Sequence, residues 1–461
     1  MGLMQALANV VGEKNLILKD ISERYQHDWS AEKAGVPIAV VRPSTTEELS
    51  SILSLCSEHN QKIVVQGGLT GLCGGGNPQA NELAISLERL KGIEEIDLDS
   101  MTMTVRAGTP LEEIQHAADE AGFMFPLDLG ARGTCNIGGN ISTNAGGNQV
   151  LRFGMTRALV LGLETVMADG TVISSMNKML KNNAAYDLKH LFIGTEGTLG
   201  VVSRAVLRLF PRSKSRCSAL LALNSFENVT RLLRSVSKGF GGSLSTFEVM
   251  WNSYFHHIVD NVERANSPFS EKYPFYVLTE LEGADEDRDQ ELFENTLAKT
   301  MEDGLVVDAV IANSDRERDS FWHIRDGVGD IGPFLRSNAN FDVSLPISSM
   351  FDFLNKLKDE LESEVPGTSL LVFGHIADSN LHIVGVNDDK TLIKSIYSVL
   401  YRVIGEFNGS ISAEHGIGVQ KLDYLHYSRT PEEIALMQTL KKTLDPKGIL
   451  NSGRVVNISD S

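Results

Sequence analysis

Two glycine-rich segments constrain the fold of this 461-residue chain more than any other feature. They read QGGLTGLCGGGN, residues 66–77, and GTCNIGGNISTNAGGN, residues 133–148, and neither contains a charged side chain. Glycine permits positive φ and close approach to a ligand, and successive N–H groups in such turns bind anions. Either segment alone could be a tight turn at a sheet edge. Together they favour a site for the pyrophosphate of a dinucleotide.

Two common nucleotide motifs are missing. No G-x-G-x-x-G stands between a strand and a helix, so the fingerprint of nicotinamide-dinucleotide domains is absent. There is also no G-x-x-x-x-G-K-[ST], which argues against a P-loop nucleotidase. The dinucleotide must therefore be bound in some other way.

Composition narrows the class of protein. A chain with 42% hydrophobic and 22% charged residues is typical of globular proteins, and its length predicts two or three domains. A net charge of −18 argues against nucleic acid or an anionic membrane surface as the main partner. Four cysteines without a C-x-x-C pair indicate neither a disulfide framework nor a thiolate zinc site. Without a signal-like N-terminus or an apolar run of about 18 residues, we expect no membrane span and a cytoplasmic protein.

Local patterns predict the elements around the glycine segments. A helix should follow Thr45, whose spacing to Glu48 is that of a capping box. A second helix should have Thr109 as its N-cap and Pro110 as its first residue. Near Pro211 the glycine-rich loops give way to mixed helical and strand patterns with an acidic run, and this change predicts a domain boundary. We therefore expect one domain over 1–212, an α+β domain over 213–410, and a C-terminal segment over 411–461.

A histidine-containing stretch, GHIADSNLHIVG, spans residues 374–385. Apolar runs flank ADSN, which predicts two short strands and a turn, with Asn380 and His382 on one face. With Glu414 from SAEHGIG, His375 and His382 would form a ligand set suited to Zn²⁺, Mn²⁺ or Fe²⁺. Histidines at the surface or in ordinary hydrogen bonds are the alternative.

The ordered motifs resemble a known family. The series RPSTTEEL, KIVVQGGLTGLCGG, LDLGARGTCNIGGNISTNAGG, GLETVMADG and IGTEGTLGVVS resembles the PCMH-type FAD-binding domain of vanillyl-alcohol oxidase flavoproteins. With GHIADSNLHIVG, SAEHGIG and DPKGILNSGRV, the chain is most similar to the D-lactate and D-2-hydroxyglutarate dehydrogenase branch. The resemblance implies an α+β fold: a two-part FAD-binding domain, an α+β substrate (cap) domain, and a helical C-terminal segment returning to the flavin.

The resemblance also implies the residues that hold FAD. They are Gly67, Gly68, Thr70, Gly71, Gly74, Gly133, Thr134, Gly138, Gly139, Asn144, Gly147, Glu196, Gly197, Val201 and Asn451. Some relatives attach the flavin covalently through a histidine in the first glycine segment. That segment has no histidine here, so we expect non-covalent FAD. Cys73 and Cys135 are better explained as small buried residues.

By the same resemblance, His375, His382 and Glu414 would hold a divalent metal, most simply zinc, with manganese or iron as alternatives. His415 would be the general base, Asn380 a hydrogen-bonding partner of the substrate, and Arg325 the group that binds its carboxylate. The implied reaction is oxidation of a D-2-hydroxy acid, chelated by the metal, with hydride transfer to FAD. A helix-surface arginine paired with Asp326 or Asp330 is the alternative for Arg325.

Departures from the family pattern bear on the substrate. Relatives that act on 2-hydroxyglutarate have a threonine four residues after the arginine and a lysine before YDLSLP, where this chain has Gly329 and Asn340. Because a distal carboxylate would lose both partners, we favour D-lactate or another neutral-tailed acid, with D-2-hydroxyglutarate as the alternative. Arg336 could compensate. The usual GDGN is ADSN here, so Ala377 and Ser379 could alter the turn.

Two other classes of function are open. A metallohydrolase could use the His/His/Glu set but would leave the glycine segments unexplained. A flavoprotein could bind or sense a ligand without turning it over. For the dehydrogenase, the electron acceptor would be an electron-transfer flavoprotein, a cytochrome or a quinone, and a homodimer is possible.

Overall fold

The computed structural model describes residues 2–30, 32, 35–335 and 337–458, without the side chain of Pro333. It divides the chain into two compact units. The first unit comprises Met1–Gly147, Phe153–Arg212 and Glu414–Ser461, and the second comprises Asn148–Arg152 and Ser213–Ala413. The main part of the second unit thus begins at the expected position 213 and continues to Ala413, and the unit also contains Asn148, the last residue of the second glycine segment, with the four residues that follow it.

The first unit begins with a four-stranded sheet of order β1-β2-β4-β3, in which β2, β4 and β3 are parallel. Its elements are α1 (Leu3–Val11), β1 (Leu16–Ile17), β2 (Ala39–Val41), α2 (Thr46–Glu58), β3 (Ile63–Gln66) and β4 (Leu83–Ser86). The first glycine segment leaves β3 at Gln66. It therefore lies at the carboxyl end of a buried parallel strand, where open α/β sheets place their ligands.

A five-stranded antiparallel sheet of order β5-β6-β10-β8-β9 follows in the same unit. The elements along this stretch of the chain are β5 (Ile93–Asp97), β6 (Thr102–Arg106), α3 (Leu111–Glu120), β7 (Phe123–Met124), α4 (Ile137–Thr143), α5 (Val150–Phe153), α6 (Thr156–Leu159), β8 (Val160–Val166), β9 (Val172–Ser175), β10 (Val201–Arg208) and β11 (Phe210–Pro211). All but the last residue of α5 belong to the second unit. One apolar core joins both sheets of the unit.

The second unit is built on a seven-stranded antiparallel sheet of order β15-β12-β14-β13-β17-β18-β16. Its elements are β12 (Ser215–Leu223), α7 (Phe226–Phe240), β13 (Leu244–Trp251), α8 (Asn252–Asn261), β14 (Phe275–Gly283), α9 (Glu286–Glu302), β15 (Asp308–Ile311), α10 (Asp315–Arg325), β16 (Asn338–Ser344), α11 (Met350–Glu364), β17 (Ser369–Gly374), β18 (Asn380–Val386) and α12 (Ile393–Glu406). The mixture of helices and antiparallel strands confirms the α+β prediction.

The C-terminal segment contains α13 (Pro431–Leu444), which begins at a capping box formed by Thr430 and Glu433. Near its end, the buried ammonium of Lys441 donates to the carbonyls of Thr198 and Leu450 and to the Asp445 carboxylate, at 2.6–2.8 Å. All three ammonium hydrogens are thus used inside the first unit. This arrangement anchors the segment that carries Asn451.

Local sequence rules succeed for one helix and fail for another. In α2, Thr45 Oγ1 accepts from the backbone N–H of Glu48 as predicted, and the apolar face is buried. In α3 the prediction of Thr109 as N-cap is wrong. The helix begins at Leu111, with Pro110 as a cap that offers no side-chain bond. The reason is that Thr109 Oγ1 bonds to Gly92 and Arg106 in the preceding turn.

Within the described ranges, no helix combines the length and the apolar character required to cross a bilayer.

Candidate functional site

The two glycine segments meet in the first unit. A Cβ on Gly68 would overlap the carbonyl of Thr134, and one on Gly67 would lie 3.8 Å from the Cα of Gly139. A larger residue at Gly68 would push the segments apart, whereas a Cβ on Gly139 would meet nothing within 4 Å. The backbones are thus closely apposed with open space beside Gly139. This is the kind of space in which a cofactor can approach the main chain.

Buried polar oxygens beside these segments fit a hydrogen-bonding cofactor. Gln66 Oε1 and Asn140 Oδ1 are buried, and neither has a hydrogen-bond partner among the described residues. Gln66 is the first residue of the first segment, and Asn140 lies in α4 within the second. A buried acceptor without a donor costs about 1–3 kcal/mol, so these atoms call for donors such as the hydroxyl and amide groups of FAD. The residues present therefore fit FAD.

Two asparagines among the predicted FAD residues use their side chains inside the protein. Asn144 ends α4 in the left-handed region, and its Oδ1 accepts from the Arg157 N–H at 2.9 Å. Asn451 Oδ1 accepts from the Val65 N–H at 2.9 Å, and its Nδ2 donates to the Glu196 carbonyl at 2.6 Å. These side chains support the backbone around the site. FAD contacts by these residues stay predictions.

The carboxylate of Glu196 is also used internally. Its two oxygens accept from the N–H groups of Ile417 and Gly418 at 2.7 and 2.9 Å. Burial raises the pKa of this carboxyl group, although these two hydrogen bonds act in the opposite direction. Glu196 therefore holds the loop that contains Glu414 and His415.

The carboxylate of Glu414 contacts the second glycine segment. Its Oε1 accepts from the backbone N–H of Gly147 at 3.0 Å, and a Cβ on Gly146 would overlap the same oxygen. Gly147, predicted as an FAD contact, thus has its N–H bonded to a predicted metal ligand. The two consecutive glycines leave room for the Glu414 carboxylate.

The other predicted FAD residues follow the backbone of the same two sheets. Gly138 packs against Ala107 at the end of β6, and Val201 begins β10 opposite Val166. Gly197 has φ +72°, and a Cβ there would lie 2.9 Å from Asn451 Nδ2. The remaining residues lie within or next to the two glycine segments: Thr70, Gly71, Gly74, Gly133 and Thr134.

In the second unit, the histidine stretch forms a strand, a single 3₁₀ turn and a strand. The turn covers Ile376–Asp378, and β18 then pairs with β16 so that Asp342 lies opposite His382 and Ser344 opposite Asn380. Since side chains alternate along a strand, Asn380 and His382 lie on one face, which confirms that prediction. His382 Nδ1 lies 4.0 Å from Asp342 Oδ1, close enough for an ion pair if the ring is protonated.

His375 and Arg325 meet on a shared carboxylate in the same unit. His375 Nδ1 lies 2.5 Å from Glu248 Oε1, and Arg325 Nε donates to Glu248 Oε2 at 2.9 Å. Arg325 Nη2 lies 2.8 Å from His375 Nε2. Burial acts to raise the pKa of Glu248, but His375 and Arg325 outweigh it and hold that pKa well below its usual range. The carboxylate is therefore ionised.

Arg325 lies at the end of α10 and is 7% exposed, so it is not a helix-surface residue. Its Nη1 donates to Asp326 at 3.1 Å, one part of the alternative raised for it. Burial acts to lower the pKa of Arg325, but the carboxylates of Glu248 and Asp326 raise it. Each terminal nitrogen keeps a second N–H, as two-point recognition of a carboxylate requires.

The His375 and His382 rings are 5.3 Å apart between centroids, and each offers a ring nitrogen within 4.8 Å of the other. Asn380 is 4% exposed, and neither its amide oxygen nor its amide nitrogen has a hydrogen-bond partner among the described residues. Two imidazoles and an amide that lacks partners fit a metal ion and a polar ligand. Gly329 and Asn340 are exposed, and Arg336 lies outside the described residues.

Sequence reasoning missed three residues that shape these sites: Glu248, Asp342 and Arg454. Glu248 interrupts STFEVMW, and a lone acid inside an apolar strand is the signal that could have found it. Asp342 lies in NFDVSLP, and its Oδ2 accepts from the Ala413 N–H at 3.1 Å. Arg454 is fully buried and bonds both oxygens of Glu82, but nothing in the sequence connects the two.

Comparison with known families identifies both parts of the chain. Residues 37–175 match the family described as "FAD binding domain", and residues 212–455 match "FAD linked oxidases, C-terminal domain". Among solved structures, p-cresol methylhydroxylase with substrate bound superposes with a TM-score of 0.81 at 14% identity, covering 100% of this chain and 97% of that chain. At this identity the likeness shows the fold alone, and it confirms the fold predicted from the sequence.

Curated relatives are similar over nearly the whole chain. The mitochondrial D-2-hydroxyglutarate dehydrogenase of Arabidopsis thaliana is 37% identical, over 97% of this chain and 80% of the relative. The D-2-hydroxyglutarate dehydrogenase of Xanthomonas citri pv. viticola is 38% identical, over 95% and 93%. A putative mitochondrial D-lactate dehydrogenase of Schizosaccharomyces pombe is 32% identical, over 97% and 88%. The resemblance predicted from the motifs is confirmed, and the chain belongs to the FAD-linked oxidase family that includes these dehydrogenases.

Proposed function

We propose that this protein oxidises a D-2-hydroxy acid to the 2-oxo acid with FAD as the immediate electron acceptor. The relatives named above support this reaction class. The reaction removes a proton from the hydroxyl group and a hydride from the α-carbon. It therefore needs a base, an acceptor for two electrons, and groups that hold the substrate carboxylate.

The observation that carries the proposal is the polar cluster of the second unit, formed by Arg325, His375, Asn380 and His382. It combines a buried guanidinium, two imidazoles and a buried amide lacking partners among the described residues. A hydroxy acid has a carboxylate for the guanidinium and a hydroxyl for the amide. The cluster is therefore matched to the substrate class.

Three residues of this chain have one role each in the proposed reaction. Arg325 binds the substrate carboxylate through its terminal nitrogens and is tethered by Nε to Glu248. Asn380 hydrogen-bonds the substrate and orients it. His415 takes the hydroxyl proton, as its place in the family motif implies. FAD, when bound, supplies the acceptor for the hydride.

A divalent metal is the second cofactor in the proposal, with zinc preferred over manganese and iron. His375 and His382 would hold it together with Glu414, which directly follows Ala413 in the chain. The donor set supports this assignment, because two imidazoles and a carboxylate leave positions open for substrate. The metal would supply a Lewis acid that lowers the pKa of the substrate hydroxyl.

The preferred substrate has a neutral tail, as in D-lactate. A Cβ at Gly329 would meet nothing within 4 Å among the described residues, and Asn340 carries no charge. A distal carboxylate would find neither a hydroxyl nor a cation from these two positions. D-2-hydroxyglutarate is the second candidate, and the observation in its favour is that relatives at 37–38% identity carry that name.

Anaerobic reduction of the bound flavin tests the proposal. The purified, FAD-loaded protein is mixed with the D and L forms of lactate, 2-hydroxybutyrate and 2-hydroxyglutarate, and bleaching is followed near 450 nm. We expect bleaching by D-lactate or D-2-hydroxybutyrate and none by the L forms. Binding of every acid without bleaching would identify a ligand sensor, and turnover by flavin-free protein would identify a hydrolase. Either result contradicts the proposal.

Reoxidation would then be the task of a separate electron acceptor. We propose a soluble acceptor, an electron-transfer flavoprotein or cytochrome, ahead of direct reaction with a quinone, because the net charge of −18 disfavours an anionic membrane surface. Reoxidation rates of the reduced protein with each acceptor decide between them. A cytoplasmic location and a homodimer also stay proposals, tested by fractionation and by light scattering.

A further inference from the structure

Glu248 is an unusual residue for its position in the second unit. It lies in β13, which runs between β14 and β17, and every residue of this strand is buried. Its neighbours in sequence are Phe247 and Val249, and its own exposure is 2%. An ionised carboxylate in such surroundings is costly unless it is paired and hydrogen-bonded. The hydrogen-bond partners of the Glu248 carboxylate therefore explain why an acidic residue occupies this position.

Both oxygens of Glu248 are used, and each serves a different residue of the proposed site. Oε1 lies 2.5 Å from His375 Nδ1, and Oε2 accepts from Arg325 Nε at 2.9 Å. The carboxylate thus connects a proposed metal ligand with the proposed substrate-binding guanidinium. These residues come from three separate places in the fold: β13, the residue that follows β17, and the last residue of α10.

We infer that Glu248 is a positioning residue that orients His375 for metal binding and Arg325 for binding the substrate carboxylate. The inference rests on the proposed function. A guanidinium N–H can only donate, so the 2.8 Å contact with Arg325 Nη2 makes His375 Nε2 the acceptor, and the ring proton lies on Nδ1, which donates to Glu248 Oε1. Outer carboxylates that fix the ring of a ligating histidine in this way raise its basicity as a ligand.

The same carboxylate fixes the plane of the guanidinium. Because Oε2 holds Nε, the two terminal nitrogens of Arg325 point away from Glu248 and toward His375 and Asp326. A metal ion on His375 Nε2 would replace the Arg325 Nη2 hydrogen bond there. Arg325 would still be tethered through Nε, so its terminal N–H groups would be presented to substrate rather than released into solution.

Substitution Glu248→Gln separates positioning from simple burial. A glutamine can accept from only one of the two donors, and its NH₂ group then faces the other N–H. The matched control is Glu280→Gln on the neighbouring strand β14. Glu280 is 3% exposed, and its oxygens accept from Ser218, Thr246 and Trp322 rather than from a histidine or an arginine.

The first measurement is Zn²⁺ and Mn²⁺ affinity of the FAD-loaded protein, by competition with a chromophoric chelator. Removing an outer partner of a metal ligand typically weakens metal binding about 10- to 100-fold, and we expect this loss in Glu248→Gln but not in Glu280→Gln. In flavin reduction, Glu248→Gln should raise KM more than it lowers kcat, because Arg325 binds substrate while the base is untouched. Equal metal affinity in Glu248→Gln and wild type overturns the inference.

A measurement on unaltered protein covers the case in which Glu248→Gln does not fold. Histidine ¹⁵N spectra, with His375 assigned by comparison with His375→Ala, report which ring nitrogen carries the proton. We expect Nδ1 to carry it, and protonation at Nε2 alone overturns the inference. Wild-type protein that binds no metal and is reduced by no hydroxy acid contradicts the proposed function itself. Wild-type protein that does both, with an unaltered Glu248→Gln variant, contradicts only the role of Glu248.

Discussion

The carboxylate of Glu414 accepts a 3.0 Å hydrogen bond from the backbone N–H of Gly147, directly above a second glycine, Gly146. A methyl group at Gly146 would overlap Glu414 Oε1. We therefore expect Gly146→Ala to displace the carboxylate and to weaken metal binding by about tenfold or more, by the usual scale for a disturbed metal ligand. Metal competition titrations measure this loss.

The matched control for Gly146→Ala is Gly130→Ala in the neighbouring loop. A Cβ on Gly130 would meet nothing within 4 Å among the described residues. We expect this variant to bind metal and FAD like the wild type. Equal metal affinity in Gly146→Ala and Gly130→Ala would contradict the proposal that Gly146 leaves the room in which the Glu414 carboxylate is held for metal binding.

Arg454 ties the C-terminal segment to the first glycine segment. It donates to both oxygens of Glu82, at 2.8 and 2.9 Å, and to the carbonyls of Gly75 and Asn77. Arg454→Met would leave Glu82 buried without its cation, at a cost of about 3–5 kcal/mol in the free energy of unfolding. The loop that carries Gly75 would also lose its tether, so FAD should dissociate more readily. Urea unfolding and flavin retention on gel filtration measure the two effects.

The double variant Arg454→Met/Glu82→Gln tests the cause of that loss. Neutralising Glu82 removes the unpaired buried charge, so the double variant should be more stable than Arg454→Met alone. Equal stability of the two variants would show that the charge pair is not what Arg454 contributes.

The four cysteines are all buried, which predicts slow thiol chemistry in the folded protein. Burial raises the pKa of Cys56 to about 12 and that of Cys217 to about 11. At pH 8, where an exposed thiol is partly ionised, these two thiols are almost fully protonated. We therefore expect Ellman's reagent to label native protein much more slowly than protein in urea. Ser51→Cys, on the exposed side of α2, should add one rapidly reacting thiol as the control.

The same pKa shifts give a direction for stability above pH 9. The pKa of Cys56 is higher in the folded state than its ordinary value of 9.0. Its contribution is therefore complete below pH 9 and is lost as the pH rises toward about 12. The free energy of unfolding should fall over this range less steeply in Cys56→Ala than in wild type. Parallel pH profiles for the two proteins would contradict the shift.

Structural features that depend on residues close together in the chain are predicted well from the sequence. The buried face of α2 follows from helical spacing at Leu49, Ile52, Leu53 and Cys56, and the shared face of Asn380 and His382 follows from strand alternation. Thr109 shows the limit, because its hydroxyl had two uses within a few residues and the preceding turn took it. Short-range rules do not rank such competing bonds.

Contacts between distant residues could not be predicted. Glu248 precedes His375 by 127 positions, and Glu82 precedes Arg454 by 372, so no periodicity relates either pair. Burial of an acid or an arginine is also invisible in composition, because such residues are exposed by default. The catalytic motifs therefore yielded the residues proposed to touch the substrate and cofactors, whereas the residues that hold them in place appeared only in three dimensions.

Ser379 marks the point where the turn of the histidine stretch leaves the family pattern, and its backbone lies in the left-handed region with φ +73° and ψ 19°. A residue with a Cβ is strained there by about 1–2 kcal/mol, whereas glycine is not. Ser379→Gly should therefore raise the free energy of unfolding by about 0.5–1 kcal/mol, after allowance for glycine's greater freedom in the unfolded chain. Ala377→Gly, within the 3₁₀ turn, should lower it by a similar amount. Urea titrations decide, and a destabilised Ser379→Gly would contradict the strain.

Asn340 offers the most direct test of substrate choice. It is exposed on β16 opposite Val384, on the same face as Asp342 two residues further along. Asn340→Lys would place a cation there, and a charge-assisted hydrogen bond contributes about 1.5–3 kcal/mol. The ratio of kcat/KM for D-2-hydroxyglutarate to that for D-lactate should thus rise about tenfold or more, and fall again in high salt. Asn340→Met, whose side chain is similar in length to lysine but uncharged, should leave the ratio unchanged. A ratio that does not move in Asn340→Lys would mean that the distal end of the substrate is bound elsewhere.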